Sequence, residues 1–463
     1  MTRTNRRQGI LSDAGMAVTV IMSYFPQLVL ILTMIFAGRS EVVSQTTLVA
    51  PESPTIKKLR TDIAAGRSSA HKEFWDLVTR RGSPLIEEVP GDRDHVLATF
   101  VWKDDGDTKR VTLDARVNGD DPFDDPLNSM KRIEGTDVWF LTCRLPRDAE
   151  FIYQFFINVP DSQPLTAALH RQARPDPLNA TTYPDRSDPL FDAAQAWRNA
   201  SIATMPAAPA NPWLAKRNGT ARGTLRKDSI KSVNLTLASP RNVWIYRTPG
   251  VDDPNPNILV VMDGGTTYQD RIPTTTILDN LYAEHKIGPT VAAFVDNGGP
   301  ARNQDMNFSD AFVKFLADEL MPWVRTECKC KTDASRTVTV GDSLAGLIGA
   351  YAAMRRPDVF GKVIAQSGAF QFNNSIDKDD TQVEWLTRQF AKLPKSDISF
   401  YLDVGLMETR PGGGTTLLTA NQHLRDTLNA KGYRVKYSEI YADHDPVHWR
   451  RTLPDALIAM LVK

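Results

Sequence analysis

The chain has 463 residues, too many for one compact core, so two domains are expected, each able to bury a core of its own. Lysine plus arginine and aspartate plus glutamate both number 55, and the resulting net charge of zero excludes a general affinity for nucleic acid or for an anionic membrane surface. The three cysteines, Cys143, Cys328 and Cys330, fit neither a disulfide framework nor a four-ligand zinc site, and read as structural or free thiols; pairing of Cys328 with Cys330 in an oxidising compartment stays open, although a bridge across one intervening residue would be strained.

The start of the chain is set apart. After Arg3, Arg6, Arg7 and Asp13 no charge appears until Arg39, and the stretch closes on QLVLILTMIFAG. A basic flank before such an apolar core predicts a secretory signal peptide over residues 1–45, with small-residue cleavage sites near Ala37 or Ser44, and export to the periplasm or beyond. Two alternatives stay open. One is an uncleaved membrane anchor, against which Pro26 and Gln27 count. The other is a later start at Met16, Met22 or Met34, which would make the protein cytoplasmic.

Short alternating runs follow, HVLATFVWK, RVTLDARVN, DVWFLTCRL and FIYQFFINV, each bounded by Gly, Pro, Asp or Asn. They predict a small Ig-like β-sandwich over residues 70–200. RQARPDPLNATTYPDRSDP reads as ordered loop, and the Pro, Ala and Gly crowded into MPAAPANPWLAKRNGTARG place an interdomain linker at 201–225. From 226 to 463 the rhythm changes. Near-continuous apolar runs (NILVVMD, TVAAFVD, RTVTVGD, GKVIAQSG, ISFYLDVG) alternate with helical stretches, the pattern of a mostly parallel sheet with helices on both faces.

Within that α/β part, TVTVGDSLAGLIGAYAA runs from a buried strand into a small-residue helix with Ser343 at the corner. As a bare string this fits a helix N-cap, but a serine at the carboxyl end of a central strand is where an α/β-hydrolase carries its nucleophile. A serine needs a base and the base an acid, in the chain order Ser, acid, His. His444 in YADHDPVHW follows the strand RVKYSEIY; His448 competes, with Trp449 beside it suggesting a packed position. Glu408, just past a strand end in FYLDVGLMETR, is favoured as the acid over Asp403 within the strand. His71, His95, His170, His285 and His423 read as surface or packing residues. For the oxyanion, the N–H of Leu344 is one donor, and Gly264 and Gly265 in VVMDGGTTY supply the other. The constellation calls for no metal and no cofactor.

These residues resemble the enterochelin (ferric enterobactin) esterase family. DDPLNSMKRIEGTDVWFLTCRL (124–145) and RPDPLN (174–179) are similar to stretches of that family's amino-terminal domain, and VWIYRTPG, VVMDGGTTY, ADELMPWVR, the Ser343 region and DHDPVHWR follow its catalytic half. The resemblance implies hydrolysis of the ester bonds of a cyclic triserine lactone bearing catechol arms, iron-loaded or iron-free, with Ser343 as nucleophile, His444 as base and Glu408 as acid. The segment ARNQDM, with Arg302, Asp305 and Met306, matches the family's R-x-x-E-L. Three departures stand out: GDSLAG for G-x-S-x-G-G, Asp305 for glutamate, and Asp443 for the glycine before the histidine. A polyanionic substrate calls for local cations, for which Arg302, Arg450, Arg271 and Arg132 are candidates, and for aromatic surfaces, for which Tyr268, Phe370 and Phe372 are. A membrane partner enters only through the leader. A secreted carbohydrate acyl or feruloyl esterase, and a non-catalytic siderophore binder, are the alternative readings.

Overall fold

The computed structural model describes residues 52–461 except 116, 118–125, 161–171, 184–199, 251–252, 266, 375–380, 410 and 413. The predicted signal segment and His170 lie outside the described residues.

The amino-terminal domain is a sandwich of two four-stranded sheets. One has the order β1 (Leu85–Val89), β2 (Asp92–Lys103), β5 (Val138–Pro146), β4 (Lys131–Arg132); the other runs β3 (Val111–Asp114), β6 (Glu150–Ile157), β8 (Ala200–Thr204), β7 (Thr182–Tyr183). All pairings within these sheets are antiparallel. The inward residues Val96, Phe100, Phe151, Tyr153 and Phe155 meet between the sheets, with the Phe100 and Tyr153 rings edge to face at 4.8 Å.

Two boundaries differ from the sequence reading. Helices Pro54–Ala64 and Ala70–Arg81 precede the strands, because Ile56, Leu59, Phe74 and Val78 form one apolar stripe that seals Val101, Val138 and Phe140 on the outer sheet face. The sandwich also keeps β8, so the linker begins after Thr204 rather than at 201.

RPDPLN acts structurally. The buried Asp176 accepts a hydrogen bond from Tyr153 Oη (2.8 Å), and Asn179 donates to that same hydroxyl (3.0 Å) and to the carbonyl of Ile202 (2.8 Å), tying the loop across β6 and β8. Burial pushes the Asp176 carboxyl up, against hydrogen bonds from Ser83, Leu178 and Tyr153.

The second domain is built on an eight-stranded sheet in the order β18-β15-β14-β13-β11-β12-β10-β9. Its strands are β9 (Thr224–Ile230), β10 (Arg241–Arg247), β11 (Asn257–Val261), β12 (Thr290–Val295), β13 (Thr337–Asp342), β14 (Lys362–Gln366), β15 (Ser399–Gly405) and β18 (Arg434–Ile440), with a two-residue hairpin, β16 (Pro411–Gly412) and β17 (Thr415–Thr416), between the last two. From β12 to β18 every neighbour is parallel; β10 and β9 join antiparallel. This is the expected α/β-hydrolase sheet. Its central strands are buried on both faces, one apolar cluster on each. The chain leaves β11 for β12 on one side and later for β13 on the other, so the loops after β11 and β13 part at a topological switch point.

The sandwich packs on the last β–α connection of this sheet. Tyr441 lies against the sandwich core, Val447 clusters with Tyr183 and Ile202, and Arg451 Nη1 donates to the carbonyl of Asp148 (3.1 Å). Of the two readings for Cys328 and Cys330 the structure has the disulfide rather than free thiols: Lys329 between them takes the left-handed conformation (φ 53°) at a helix end, which turns the chain back on itself.

Replacing Asp176 by Ala leaves the Tyr153 hydroxyl and the Leu178 N–H short of a buried partner, and should lower unfolding stability by about 1–3 kcal/mol in denaturant titrations.

Candidate active site

Four parallel strands end on one edge of the sheet, and each end delivers one functional side chain: β13 gives Ser343, β14 gives Ser367, β15 leads to Glu408 and β18 to His444.

Ser343 has φ +52°, a left-handed conformation uncommon for a residue with a side chain. The helix Ser343–Arg355 is capped by Asp342 in extended backbone, so Ser343 is not the N-cap that the bare string would suggest. It occupies a forced corner. Space for that corner comes from Gly341, where a Cβ would lie 2.4 Å from the carbonyl of Ala345. The residue expected to be glycine, Ala345, is fully buried and points its methyl into the gap that Gly341 leaves.

Glu408 accepts from the Gly405 N–H (2.8 Å) and the Ser367 hydroxyl (2.5 Å) at Oε1, and its Oε2 lies 2.9 Å from His444 Nδ1. Trp449 Nε1 donates to Ser367 Oγ (3.0 Å), and the Trp449 ring meets the His444 ring edge to face at 5.0 Å. Burial pushes the Glu408 carboxyl up, but the charge and hydrogen bond of His444 and the charge of His448 outweigh it and hold Glu408 below the usual carboxylate range. Burial works against charge on His444, and Glu408 reverses that, leaving the imidazole above its ordinary 6.5. A Cβ on Gly405 would lie 2.2 Å from the carbonyl of Ala442, so the histidine loop approaches as closely as a bare backbone allows.

The structure pairs Glu408 with His444 and, separately, the fully buried Asp403 with His448 at 3.1 Å. The charge of His444 lowers the Asp342 pKa and that of Asp342 raises the His444 pKa, as expected for two groups carried on the same edge of the sheet. Among the described hydrogen bonds none joins Ser343 Oγ to His444; such contacts commonly tighten only with substrate in place.

The anion-hole residues divide. Leu344 follows the corner in the first helical turn, where N–H groups have no partner within the helix. Gly264 departs from expectation, because its N–H donates to the carbonyl of Val295 (2.8 Å). Gly265 is left as the glycine donor of that loop. The loop is fixed by Arg302, whose guanidinium binds both oxygens of Asp263 (Nε 2.9 and 3.0 Å, Nη2 2.5 Å).

Of the other candidates, Arg271 lies near enough to Asp342 to lower its pKa. Arg450 is turned to the domain interface, 3.7 Å from Glu150 and over the Tyr183 ring. Arg132 pairs with Asp104 (2.9 Å), and both line a cavity of about 630 Å³ in the amino-terminal domain. Tyr268 is fully buried and donates to Gln366 (3.0 Å), and Phe370 is equally buried; core packing, not substrate, explains both. Phe372 is exposed on the loop after β14. Asp342 was not foreseen as part of the site. It is buried, its Oδ1 has no hydrogen-bond partner, and burial with the neighbouring Asp263 pushes it up to about 7 against Arg302, His444 and Arg271.

An "Enterochelin esterase, N-terminal" family model matches residues 97–214, and an "Esterase" family model matches residues 235–460. The chain belongs to the enterochelin esterase family. Relatives include an iron(III) enterobactin esterase of Dickeya dadantii, 29% identical over 84% of this chain and 92% of its own, and an iron(III) salmochelin esterase of Escherichia coli, 26% identical over 87% and 96%. Among solved structures, the ferric enterobactin esterase of Salmonella typhimurium superimposes with a TM-score of 0.66 at 24% identity, over 84% of this chain and 98% of that one. The two-domain enterochelin esterase fold is thereby shown. Against the family pattern, Asp305 accepts from the buried Arg241 (2.6 Å) and anchors the Arg302 segment from behind, while the carbonyl of Asp443 turns to His448 (3.1 Å).

Two measurements follow. Gly405→Ala pushes on the Ala442 carbonyl and hence on the histidine loop; it should lower kcat at least about 10-fold with KM little changed, read from steady-state kinetics. The raised pKa of Asp342 means that its ionisation opposes folding, an effect absent below 3.8 and complete above about 7. Asp342→Asn should therefore melt at least about 3 °C above the parent at pH 8 and lose that advantage as pH falls toward 4.

Proposed function

We propose that the protein is a serine esterase hydrolysing the ester bonds of a catecholate siderophore lactone, with Ser343, His444 and Glu408 as its triad. The observation that carries this reading is the left-handed Ser343 at a strand end whose neighbouring strand ends present a hydrogen-bonded imidazole and buried carboxylate. The relatives named for iron(III) enterobactin and salmochelin, matched along both domains, support the substrate class.

In this reading Ser343 Oγ attacks a lactone carbonyl while His444 Nε2 takes its proton, Glu408 holding the ring through Nδ1 and stabilising the imidazolium. The N–H groups of Leu344 and Gly265 receive the oxyanion. His444 returns the proton to the departing seryl hydroxyl, and water releases the acyl-enzyme by the same route. Arg302 and Arg271 bring positive charge toward a polyanionic substrate, although Arg302 is shared with Asp263. Phe372 and Leu406, exposed on the loops after β14 and β15, offer flat and apolar surface for catechol rings. The charged, then apolar, leader and the Cys328–Cys330 disulfide support an exported protein. Cell fractionation tests that part, and recovery in the cytosol alone would reject it.

Incubation with the iron-loaded cyclic trilactone, resolved by chromatography, should give linear trimer and monomer, whereas feruloylated or acetylated sugars should turn over far more slowly. Ser343→Ala should remove turnover by at least about 10³-fold and abolish labelling by an organophosphonate, with the fold unchanged. Because His444 must be neutral to act, kcat/KM should fall on the acid side with a midpoint above 6.5.

A further inference from the structure

Directly behind the Glu408–His444 pair stands the Asp403–His448 pair, for which the steps above have no task. His448 lies in the first turn of the helix Pro446–Met460 and Asp403 inside β15; neither side chain reaches solvent, and Nε2 lies 3.1 Å from Asp403 Oδ1. The other ring nitrogen, Nδ1, lies 3.1 Å from the carbonyl oxygen of Asp443 and 3.6 Å from Glu408 Oε1. Nδ1 is hydrogen-bonded to the Asp443 carbonyl, while Nε2 and Asp403 Oδ1 approach closely without an aligned hydrogen bond, so acceptor oxygens stand at both nitrogens and the ring is placed to carry positive charge.

The charged neighbours agree. From β15 comes Asp403, from the loop beyond it Glu408, and from the segment before the helix Asp443 and Asp445, whose Oδ1 accepts from the N–H groups of Val447 and His448. The amide of Gln366 (3.5 Å) and the hydroxyl-bearing rings of Tyr268 and Tyr401 complete the surroundings of Asp403 without charge. Burial disfavours a cation here, yet Asp403 and then Glu408 prevail and raise His448 to about 9.

We propose that His448 is a positioning residue charged at neutral pH, an imidazolium held between Asp403 and Glu408 that keeps Glu408 ionised and its bond to His444 intact. The proposal rests on the triad reading above. Without that cation, two buried carboxylates would face each other across the width of a ring, and one would take up a proton at neutral pH, as such pairs do. A protonated Glu408 cannot stabilise the imidazolium that His444 becomes. The ring also offsets the pull of the acidic cluster on His444, which would otherwise hold its proton too tightly to serve as a base.

The test compares His448→Gln with Asp403→Asn/His448→Gln in the full chain. His448→Gln should move the acid limb of kcat/KM upward by about one pH unit or more and lower kcat/KM at pH 7 by about 10–100-fold. The double variant removes both charges, and its acid limb should return toward the parent's. An unmoved limb in the single variant, or equal displacement in both, would mean that the pair only packs and would overturn the proposal. A readout independent of turnover uses Ser343→Ala protein: nitrogen-15 NMR of His448 should show both ring nitrogens protonated at pH 7.5, and a neutral ring there refutes the assignment even where His448→Gln fails to fold. Activity surviving in Ser343→Ala would instead reject the serine reading while leaving the charge of His448 measurable.

Discussion

The candidate site depends on one buried negative charge. Glu408 is removed from solvent, and a carboxylate in that position survives as an anion only if its neighbours compensate the lost hydration. The compensation arrives from four separate parts of the chain: a main-chain N–H at the end of β15, a hydroxyl after β14, one imidazole after β18 and another from the helix that follows. The first three donate hydrogen bonds and His448 acts by its charge from 3.6 Å, and none can shift without uncovering Glu408. The strand ends are therefore locked to one another through Glu408, and Ser343 is carried on the neighbouring strand of the same rigid edge.

Much of this was legible in the sequence because it is written in local chemistry. The buried apolar runs forecast a parallel sheet, the Gly341–Ser343 corner forecast a strained turn, and loop position separated Glu408 from Asp403 and His444 from His448. What was not legible depends on where distant segments meet. Arg302, Arg450 and Arg132 look alike in sequence, and only the fold shows that Asp263, Glu150 and Asp104 are waiting for them. Tyr268 and Phe370 have the composition of a binding surface but the position of a core. Gly264 was a sound choice by residue type; its N–H is spent on Val295, a partner that no spacing rule reveals. The helices over 54–81 went unseen because their apolar stripe is short and interrupted by charge, and it makes sense only against the sheet face that it covers.

The departures from the family pattern share a physical logic. Ala345 is tolerated because Gly341 yields the space, and Asp305 is long enough to reach Arg241 from its short helix. The added carboxylate Asp443 joins Asp445 beside the histidine and raises the local negative charge, and a fully buried His448 stands among them. Charge is added and answered within one turn of backbone.

The contact between the sandwich and the histidine loop carries a consequence for biosynthesis. Tyr441 and Val447 dock on strands that emerge from the ribosome hundreds of residues earlier, so the amino-terminal domain can be complete before the base is synthesised. Translation thus orders assembly: the first domain acts as a mould, and the last connection of the sheet takes its working shape against a surface already set.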